Sequence, residues 1–405
     1  MTKVKEKQNI PKGWERKTLS ELGVLTMGQS PSGTSYSNNQ EDYPLLNGAV
    51  ELKKNGICIH QYTNAPTRLC NVGDLLFCIR ATIGNLQKAN REYCLGRGVA
   101  ALNVYKKYSS EYVEQQLEDL FTLMRYRAHG GVIKGLKKDE IANFDVLVPK
   151  SKAEQQKIAE ILVSVDEDIE KTKEVIKATE KLKKGLMQKL FTRGIGHTKF
   201  KQTELGEIPE SWDVVSLEDV AQLSTGTTPS TSKKSYYQGE VAFIKTGQVV
   251  NNRIDSAETH VSENAVSDYR LKKYKPGTVL MAMYGQGKTR GQVALLEIEA
   301  CTTQNAAAIE MGNKLHSEYL WFFFKSQYER LRQGGVQGHI SHLNLTILKR
   351  YKLALPSLVE QEKIVEILVS VDEKIKVNEK LLAKQTELKK GLMQDLLSGT
   401  KRVKI

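Results

Sequence analysis

The chain has 405 residues, 40% of them hydrophobic, and a formal charge of +13, enough to build two or three domains with real cores. No window approaches 18 uninterrupted apolar residues, and the opening MTKVKEKQNIPKGW has no apolar signal core, so the expectation is a soluble, cytoplasmic protein without membrane contact. Five cysteines, odd in number and without a C-x-x-C pair, predict reduced core thiols rather than zinc ligands or disulfides.

In chain order, Ile10-Pro11-Lys12-Gly13-Trp14 opens a first globular segment. Apolar runs at Leu75–Ile79 and Val99–Val104 predict strands, with a Gly73-Asp74 turn before the first. An amphipathic helix follows over Glu111–Arg127, then the glycine pair Gly130-Gly131 and a strand-like run to Pro149. The same order recurs: Ile208-Pro209-Glu210-Ser211-Trp212, strands at Val241–Ile244, Val279–Met283 and Ala306–Ile309, a helix over Ser317–Arg332, Gly334-Gly335 and Pro356. The turn Met27-Gly28-Gln29-Ser30-Pro31-Ser32 is echoed by Thr225-Gly226-Thr227-Thr228-Pro229-Ser230. The run Tyr319 to Phe324 (YLWFFF) is read as core packing, not a base-stacking platform.

After each proline comes a far closer repeat. Glu154 to Ile169 (EQQKIAEILVSVDEDI) and Glu360 to Ile375 (EQEKIVEILVSVDEKI) agree at thirteen of sixteen positions at an offset of 206, and KLKKGLMQKL from Lys181 returns as ELKKGLMQDL from Glu387. Ile158, Leu162, Val165, Ile169, Ile176, Leu182, Leu186 and Leu190 recur at threes and fours. Ile364, Leu368, Val371, Ile375, Leu382, Leu388, Leu392 and Leu396 match them. That period predicts two long helices, each with one narrow apolar seam for pairing or partner docking. Thr172, Thr179, Asn378 and Gln385 interrupt the seam and are expected to form polar layers that fix register. Gly185 and Gly391 are expected to let the partner helix approach closely.

Charge is unevenly placed. Residues 153–192 hold eight Lys and eight acids and residues 357–397 hold seven Lys and eight acids, so the helices together carry −1 and the rest of the chain +14. Basic globular arms on a neutral spine point to a polyanion met by the arms. The arms also differ in their polar loops: Arg80-Ala81-Thr82-Ile83-Gly84-Asn85 stands roughly where Tyr284-Gly285-Gln286-Gly287-Lys288-Thr289-Arg290 does. One scaffold with two polar surfaces fits two recognition tasks.

No catalytic constellation is found. Gly287-Lys288-Thr289 lacks the glycine of a phosphate loop, since Ala282 stands there, and Gly285-x-Gly287-x-x-x-Gly291 has the wrong spacing for a nucleotide-binding turn. No two prolines are adjacent, none is followed by Asp, and His339 with His342 is the only close histidine pair.

The Ile-Pro-x-x-Trp openings, the Gly-x-x-Pro-Ser turns, the Pro-then-Glu-Gln-x-Lys-Ile helices and the Leu-Lys-Lys-Gly-Leu-Met-Gln repeats together resemble the specificity subunit of type I restriction-modification enzymes, across essentially the whole chain. The resemblance implies an α+β architecture: target-recognition domains at 1–150 and 201–356, helical spacers at 151–200 and 357–405. The helices pack as an antiparallel coiled coil with pseudo-twofold symmetry. It further implies a non-catalytic chain that binds double-stranded DNA, each domain reading half of a split, asymmetric site. Two methyltransferase subunits would dock on the helices and carry S-adenosylmethionine and the adenine-N6 chemistry; restriction and translocase subunits would add ATP and Mg. No cofactor or metal is expected on this chain.

Base and phosphate contacts are expected from loop Arg, Lys, Asn and Gln. The candidates are Arg80, Asn85, Arg91, Arg97 and Lys134 in the first arm and Lys245, Gln248, Arg253, Lys288, Arg290 and Gln337 in the second. An autonomous nuclease or methyltransferase, and a coiled-coil scaffold that binds only proteins, remain open at this stage.

Overall fold

Strands whose residues are apolar at every position must be covered on both faces. The computed structural model, which describes residues 10–53, 55–129, 135–285, 288–332 and 343–405, shows that arrangement in each of two compact units. One unit comprises Met1–Lys173 with Lys380–Ile405, the other Glu174–Glu379.

In the first unit a four-stranded antiparallel sheet runs Gly23–Met27, Val99–Val104, Leu75–Cys78, Gly84–Lys88. Leu75, Phe77, Ala100 and Leu102 face one core, which contains the helix Ser110–Arg127. Leu76, Cys78, Val99 and Ala101 face the other. A smaller sheet joins Cys94–Leu95 in parallel to Tyr43–Leu46. Trp14–Thr18 pairs with Asp145–Pro149, so the start and the end of the globular part close on one ribbon.

The second unit repeats this plan with a five-stranded sheet, Ala221–Thr225, Ala306–Met311, Val279–Ala282, Val293–Leu296, Asn252–Ile254. Val279, Met281, Ala307 and Ile309 face one core, and Leu280, Ala282 and Ala308 the other. Val241–Ile244 pairs in parallel with Cys301–Thr302, and Asp213–Ser216 pairs antiparallel with Lys352–Leu355. Residues Tyr319 to Phe324 are all buried, as core packing requires. The expected single helix is two, Ser317–Ser326 and Tyr328–Arg332, parted at Gln327. The glycine pairs Gly130-Gly131 and Gly334-Gly335 lie outside the described residues.

The repeats are helices of 42 residues, Lys152–Arg193, and 40 residues, Leu358–Leu397. Each unit holds part of both. In the first, Ile158, Ala159 and Leu162 share a core with Leu392, Met393, Leu396 and Leu397, while Lys389 bonds Asp166 at 2.6 Å. In the second, Leu186, Met187, Leu190 and Phe191 share a core with Ile364, Val365 and Leu368, while Lys183 bonds Asp372. Numbers rise along one helix as they fall along the other, so the helices pair antiparallel. The offset of 206 carries Asp166 onto Asp372 and Lys183 onto Lys389, so each unit makes the same ion pair.

Along the seam Ile158, Leu162, Ile169, Ile364 and Leu368 are buried, and Val165, Ile176, Leu186, Val371, Ile375, Leu382 and Leu392 are half-buried. Leu182 and Leu388 are corrections: they stand 56% and 55% exposed, outside the seam. Of the expected polar layers, Thr172 and Thr179 are buried and Asn378 and Gln385 half-buried. Thr172, Thr179 and Asn378 bond the carbonyls of Asp168, Val175 and Lys374 on their own helices, and Gln385 Oε1 is buried without a partner among the described residues. The Lys–Asp pairs are the polar contacts that join the two helices directly. Gly185 and Gly391 do not serve close approach either, because a Cβ at either position meets nothing within 4 Å.

Of the five free thiols, Cys70, Cys78, Cys94 and Cys301 are buried as expected, but Cys58 is exposed. Burial pushes the Cys78 thiol up to about 12 and those of Cys70 and Cys301 to about 11. Among the described residues no helix is long and apolar enough to cross a membrane.

Candidate nucleic-acid interface

The repeated opening and the repeated Glu-Gln meet in the fold. Each Ile-Pro-x-x-Trp motif is a tight turn, with Trp14 N bonded to Pro11 O and Trp212 N to Pro209 O, both at 3.0 Å. The turn delivers an indole N–H to the first residue of the helical repeat: Trp14 Nε1 to Glu154 at 3.3 Å and Trp212 Nε1 to Glu360 at 2.9 Å. Glu154 also takes a two-pronged bond from Arg402, which follows the second long helix. Glu360 takes Ile195 N at 3.0 Å and His197 Nε2 at 2.8 Å, which follow the first. The neighbouring glutamines do the same work in both units. Gln155 accepts from Ser109 N and donates to Pro149 O, while Gln361 accepts from His316 N and donates to Pro356 O. Ser109 and His316 are the N-caps of the domain helices, so each glutamine fixes a globular part to its long helix.

With the scaffold anchored in this way, one end of each central sheet is left to loops. In an antiparallel sheet the ends of Gly23–Met27 and Leu75–Cys78 lie beside the start of Val99–Val104. There Gly28 N bonds Val99 O at 2.9 Å, Ile79 N bonds Gly98 O at 2.9 Å, Gly96 N bonds Leu46 O at 2.8 Å and Arg97 N bonds Ser30 Oγ at 3.3 Å. Glycine is needed at three of these positions. A Cβ on Gly28 would lie 2.1 Å from Gly96 O, one on Gly96 2.4 Å from Asn47 Oδ1, and one on Gly98 2.2 Å from Asn47 O.

In the second unit Met283 N bonds Asn305 O at 3.0 Å, Thr246 Oγ1 meets Thr303 Oγ1 at 3.2 Å and Thr228 Oγ1 donates to Gln304. A Cβ on Gly226 would lie 1.7 Å from Thr302 O. The two loop ends thus share a backbone and differ in what they present.

Of the first-arm candidates, Arg80 and Arg97 stand exposed at this end, Arg80 beside Ala81 in the left-handed region at φ 57° and bridged to Gly135. Asn85 is a correction: at φ 54° it donates Nδ2 to Leu52 O at 2.8 Å and holds the loop rather than offering its amide. Arg91 is exposed but follows Gly84–Lys88, whose Lys88 lies opposite Leu75, and so belongs to the other end of the sheet. Lys134 and Gln337 lie outside the described residues.

In the second arm Lys245 and Lys288 are exposed at the loop end, Lys245 directly after the strand that pairs with Cys301–Thr302. Gln248 bonds its own loop: its Nε2 donates to Ser256 O at 3.5 Å and its Oε1 accepts from Glu258 N at 3.3 Å. Arg253 is ion-paired to Glu297 at 3.1 Å and to Glu318, and its guanidinium lies 5.0 Å from the Trp321 ring. It packs the sheet against the domain helix. Arg290 donates to Arg332 O at 2.5 Å and ties its loop to the end of Tyr328–Arg332. Each was nominated for residue type, and each is occupied by its own fold. Gln304, Asn305 and Thr228 were not nominated; pairing VAALNV with AAAIEM at an offset of 207 would have placed Gln304 opposite Arg97.

Residues 11–178 and 209–386 each match the family described as "Type I restriction modification DNA specificity domain". The MjaVIII type I restriction enzyme specificity subunit of Methanocaldococcus jannaschii is 26% identical over 98% of this chain and 94% of its own length. The crystal structure of a type I restriction-modification S subunit from M. genitalium superposes with a TM-score of 0.58 at 16% identity, covering 97% of this chain and 98% of that one. A chain from a study of complex assembly and conformational transition of the type I R-M system superposes at 0.65 and 16% identity, covering 96% of this chain and 98% of that one. With two copies of the domain covering most of its length, the chain belongs to the type I restriction-modification DNA specificity family, whose members are the recognition subunits and not the catalytic ones.

Proposed function

We propose that each unit reads one half of an asymmetric, split site on double-stranded DNA through its loop end. The observation that carries this reading is the shared turn, packed beside one tightly enclosed glycine in each unit (Gly28, Gly226), that bears Arg97 in one unit and Gln304 in the other. Similar scaffolds with unlike polar tips are what two different half-sites need.

The paired helices act as spacer and dock. A helix of 42 residues is about 63 Å long at 1.5 Å per residue, and base pairs rise about 3.4 Å each. Both helices also show apolar residues that the seam does not use: Val175 and Leu182 on one, Leu381 and Leu388 at the same offset of 206 on the other. A repeated exposed apolar pair fits two copies of one partner, and two methyltransferase subunits are that partner. On this reading they supply S-adenosylmethionine chemistry, restriction subunits supply ATP- and Mg-dependent steps, and the complex works in the cytoplasm.

The test is methylation mapping in a host carrying this chain with its partner subunits. Four residues inserted after both Glu174 and Lys380 leave each Lys–Asp pair intact within its unit. The required spacer should then lengthen by about one to two base pairs, with both half-sites unchanged. Altered half-site bases with an unchanged spacer would refute the ruler.

A further inference from the structure

Arg97 and Gln304 occupy one position. The strands Val99–Val104 and Ala306–Met311 pair with Leu75–Cys78 and Val279–Ala282 in the same register, Val99 opposite Cys78 and Ala306 opposite Ala282. Arg97 and Gln304 each lie two residues before that register point. Both sit in the same turn, closed by Val99 N to Gly96 O at 3.0 Å and Ala306 N to Thr303 O at 3.3 Å. Both are exposed.

The surroundings hold the backbone of each turn and leave the side-chain tip outward. Around Arg97, Gly28, Gly96 and Gly98 pack too closely for any side chain. Its own N–H is bonded to Ser30, and its guanidinium has no partner among the described residues. Around Gln304, Thr303 Oγ1 accepts from Asn305 N, and Thr228 Oγ1 donates to Gln304 Oε1, which keeps a second lone pair, while the Gln304 NH2 has no partner among the described residues. A polar group on a fixed backbone loses little freedom when it meets a base edge, which is how a reading residue gains discrimination.

Resting on the DNA-reading role above, we infer that Arg97 and Gln304 are the specificity-determining residues of their respective domains, Arg97 for a guanine and Gln304 for an adenine in the major groove. The forked guanidinium matches guanine O6 and N7, and the amide matches adenine N6 and N7. The first half-site therefore contains a required guanine and the second a required adenine at the corresponding place. Phosphate contacts fall to the flanking cations, Arg80 in one unit and Lys245 with Lys288 in the other.

The experiment exchanges the two tips in the full chain assembled with its methyltransferase subunits. Arg97→Gln and Gln304→Arg are made separately, and methylated sites are mapped and duplex affinity measured on matched and single-base-changed DNA. Arg97→Gln should change the preference at one first-half position from guanine to adenine, by about tenfold to a hundredfold, and leave the second half-site alone. Gln304→Arg should do the converse. Both exchanges giving wild-type half-sites, or a uniform loss of affinity on every sequence, would overturn the assignment, the second outcome marking a phosphate contact. Wild-type complex that shows no sequence preference would overturn the DNA-reading role itself, and this assignment with it. Both residues are exposed, so melting of each variant at the wild-type temperature separates a change of reading from a failure to fold.

Discussion

The two units make the same helix-to-helix ion pair but surround it differently, and the difference shows which parts of the scaffold are free to drift. In the first, Lys389 lies between Asp166 at 2.6 Å and Glu118 at 2.8 Å; burial opposes its charge, yet the two carboxylates hold its pKa above the ordinary lysine value. In the second, Lys183 keeps Asp372, but the position of Glu118 is taken by Lys325. The match follows from the domain helices, where Ser110-Glu111-Tyr112 and Ser317-Glu318-Tyr319 align and both tyrosine hydroxyls bond the closing strand. Lys325 is pulled down to about 8 by burial first, then by Lys183 and Arg253, against the raising effect of Asp372. Its ammonium rests 4.0 Å from the Trp321 ring, where the first unit has Glu114. The buried lysine of the second unit thus has an aromatic face beside it, where that of the first has the carboxylates of Asp166 and Glu118.

A second contrast lies at the ends of the long helices. Glu154 is 2% exposed and relies on one strong partner, the forked guanidinium of Arg402, whereas Glu360 shares its charge among an indole, a backbone N–H and His197. Removing the partner should therefore hurt the first unit more. Arg402→Met is expected to destabilise it by about 2–3 kcal/mol, since a buried carboxylate is left with a single neutral donor, discounted because Arg402 itself is partly exposed. His197→Ala should cost the second unit about 1 kcal/mol. Denaturant unfolding followed by hydrogen exchange resolves the two units. Equal losses would mean that the two anchors are equivalent despite their different partners.

Lys325→Glu would copy the first unit's arrangement into the second and give Lys183 its missing second carboxylate. A gain of about 1–2 kcal/mol is expected, less than a buried pair's full attraction because the contact with Trp321 is lost. The pH profile sharpens this. Lys325 has a folded value of about 8 against an ordinary 10.5, so the unfolded chain binds more protons between those values and stability rises as pH rises from about 8 to 10.5. The groups facing it are Lys183, Asp372 and Arg253, the last held by Glu297 and Glu318. At most ~3 kcal/mol is involved. Chemical denaturation at pH 7.5 and 9.5 should show the rise in wild type and lose it in Lys325→Glu; a flat wild-type profile would mean that Lys325 is solvated.

Much of the scaffold was legible because it depends on local pattern. Val99–Val104 and Val241–Ile244 appear as the apolar runs foretold, and the duplicated seam gave the long helices and their pairing. Glu154, Gln155, Glu360 and Gln361 were visible as a repeated motif, but their partners lie up to 248 residues away, so no local pattern assigns their roles. The proposed reading surface was hidden for a related reason. Residue type nominated Asn85, Gln248 and Arg253, yet whether a polar side chain faces outward depends on which strand ends converge, and these three are held by Leu52, by Ser256 and Glu258, and by Glu297 and Glu318. The two-residue strands Tyr36–Ser37 and Leu52–Lys53 are too short to leave any periodicity at all.

The smallest expected effect is the one on which the two units should agree. Gly185 and Gly391 sit mid-helix and exposed, with room for a Cβ, and neither has a positive φ. Alanine at either should therefore stabilise its unit by about 0.5–1 kcal/mol through backbone entropy alone, and the two gains should add, because the positions lie in different units. Isolated stability does not exhaust the matter. The same glycines lie within one helical turn of the exposed Leu182 and Leu388. If Gly185→Ala with Gly391→Ala raises the melting temperature yet weakens capture of the methyltransferase subunits, the glycines make room for a partner's side chains; if both measurements improve or stay level, the glycines are neutral and the docking surface lies elsewhere on the helices.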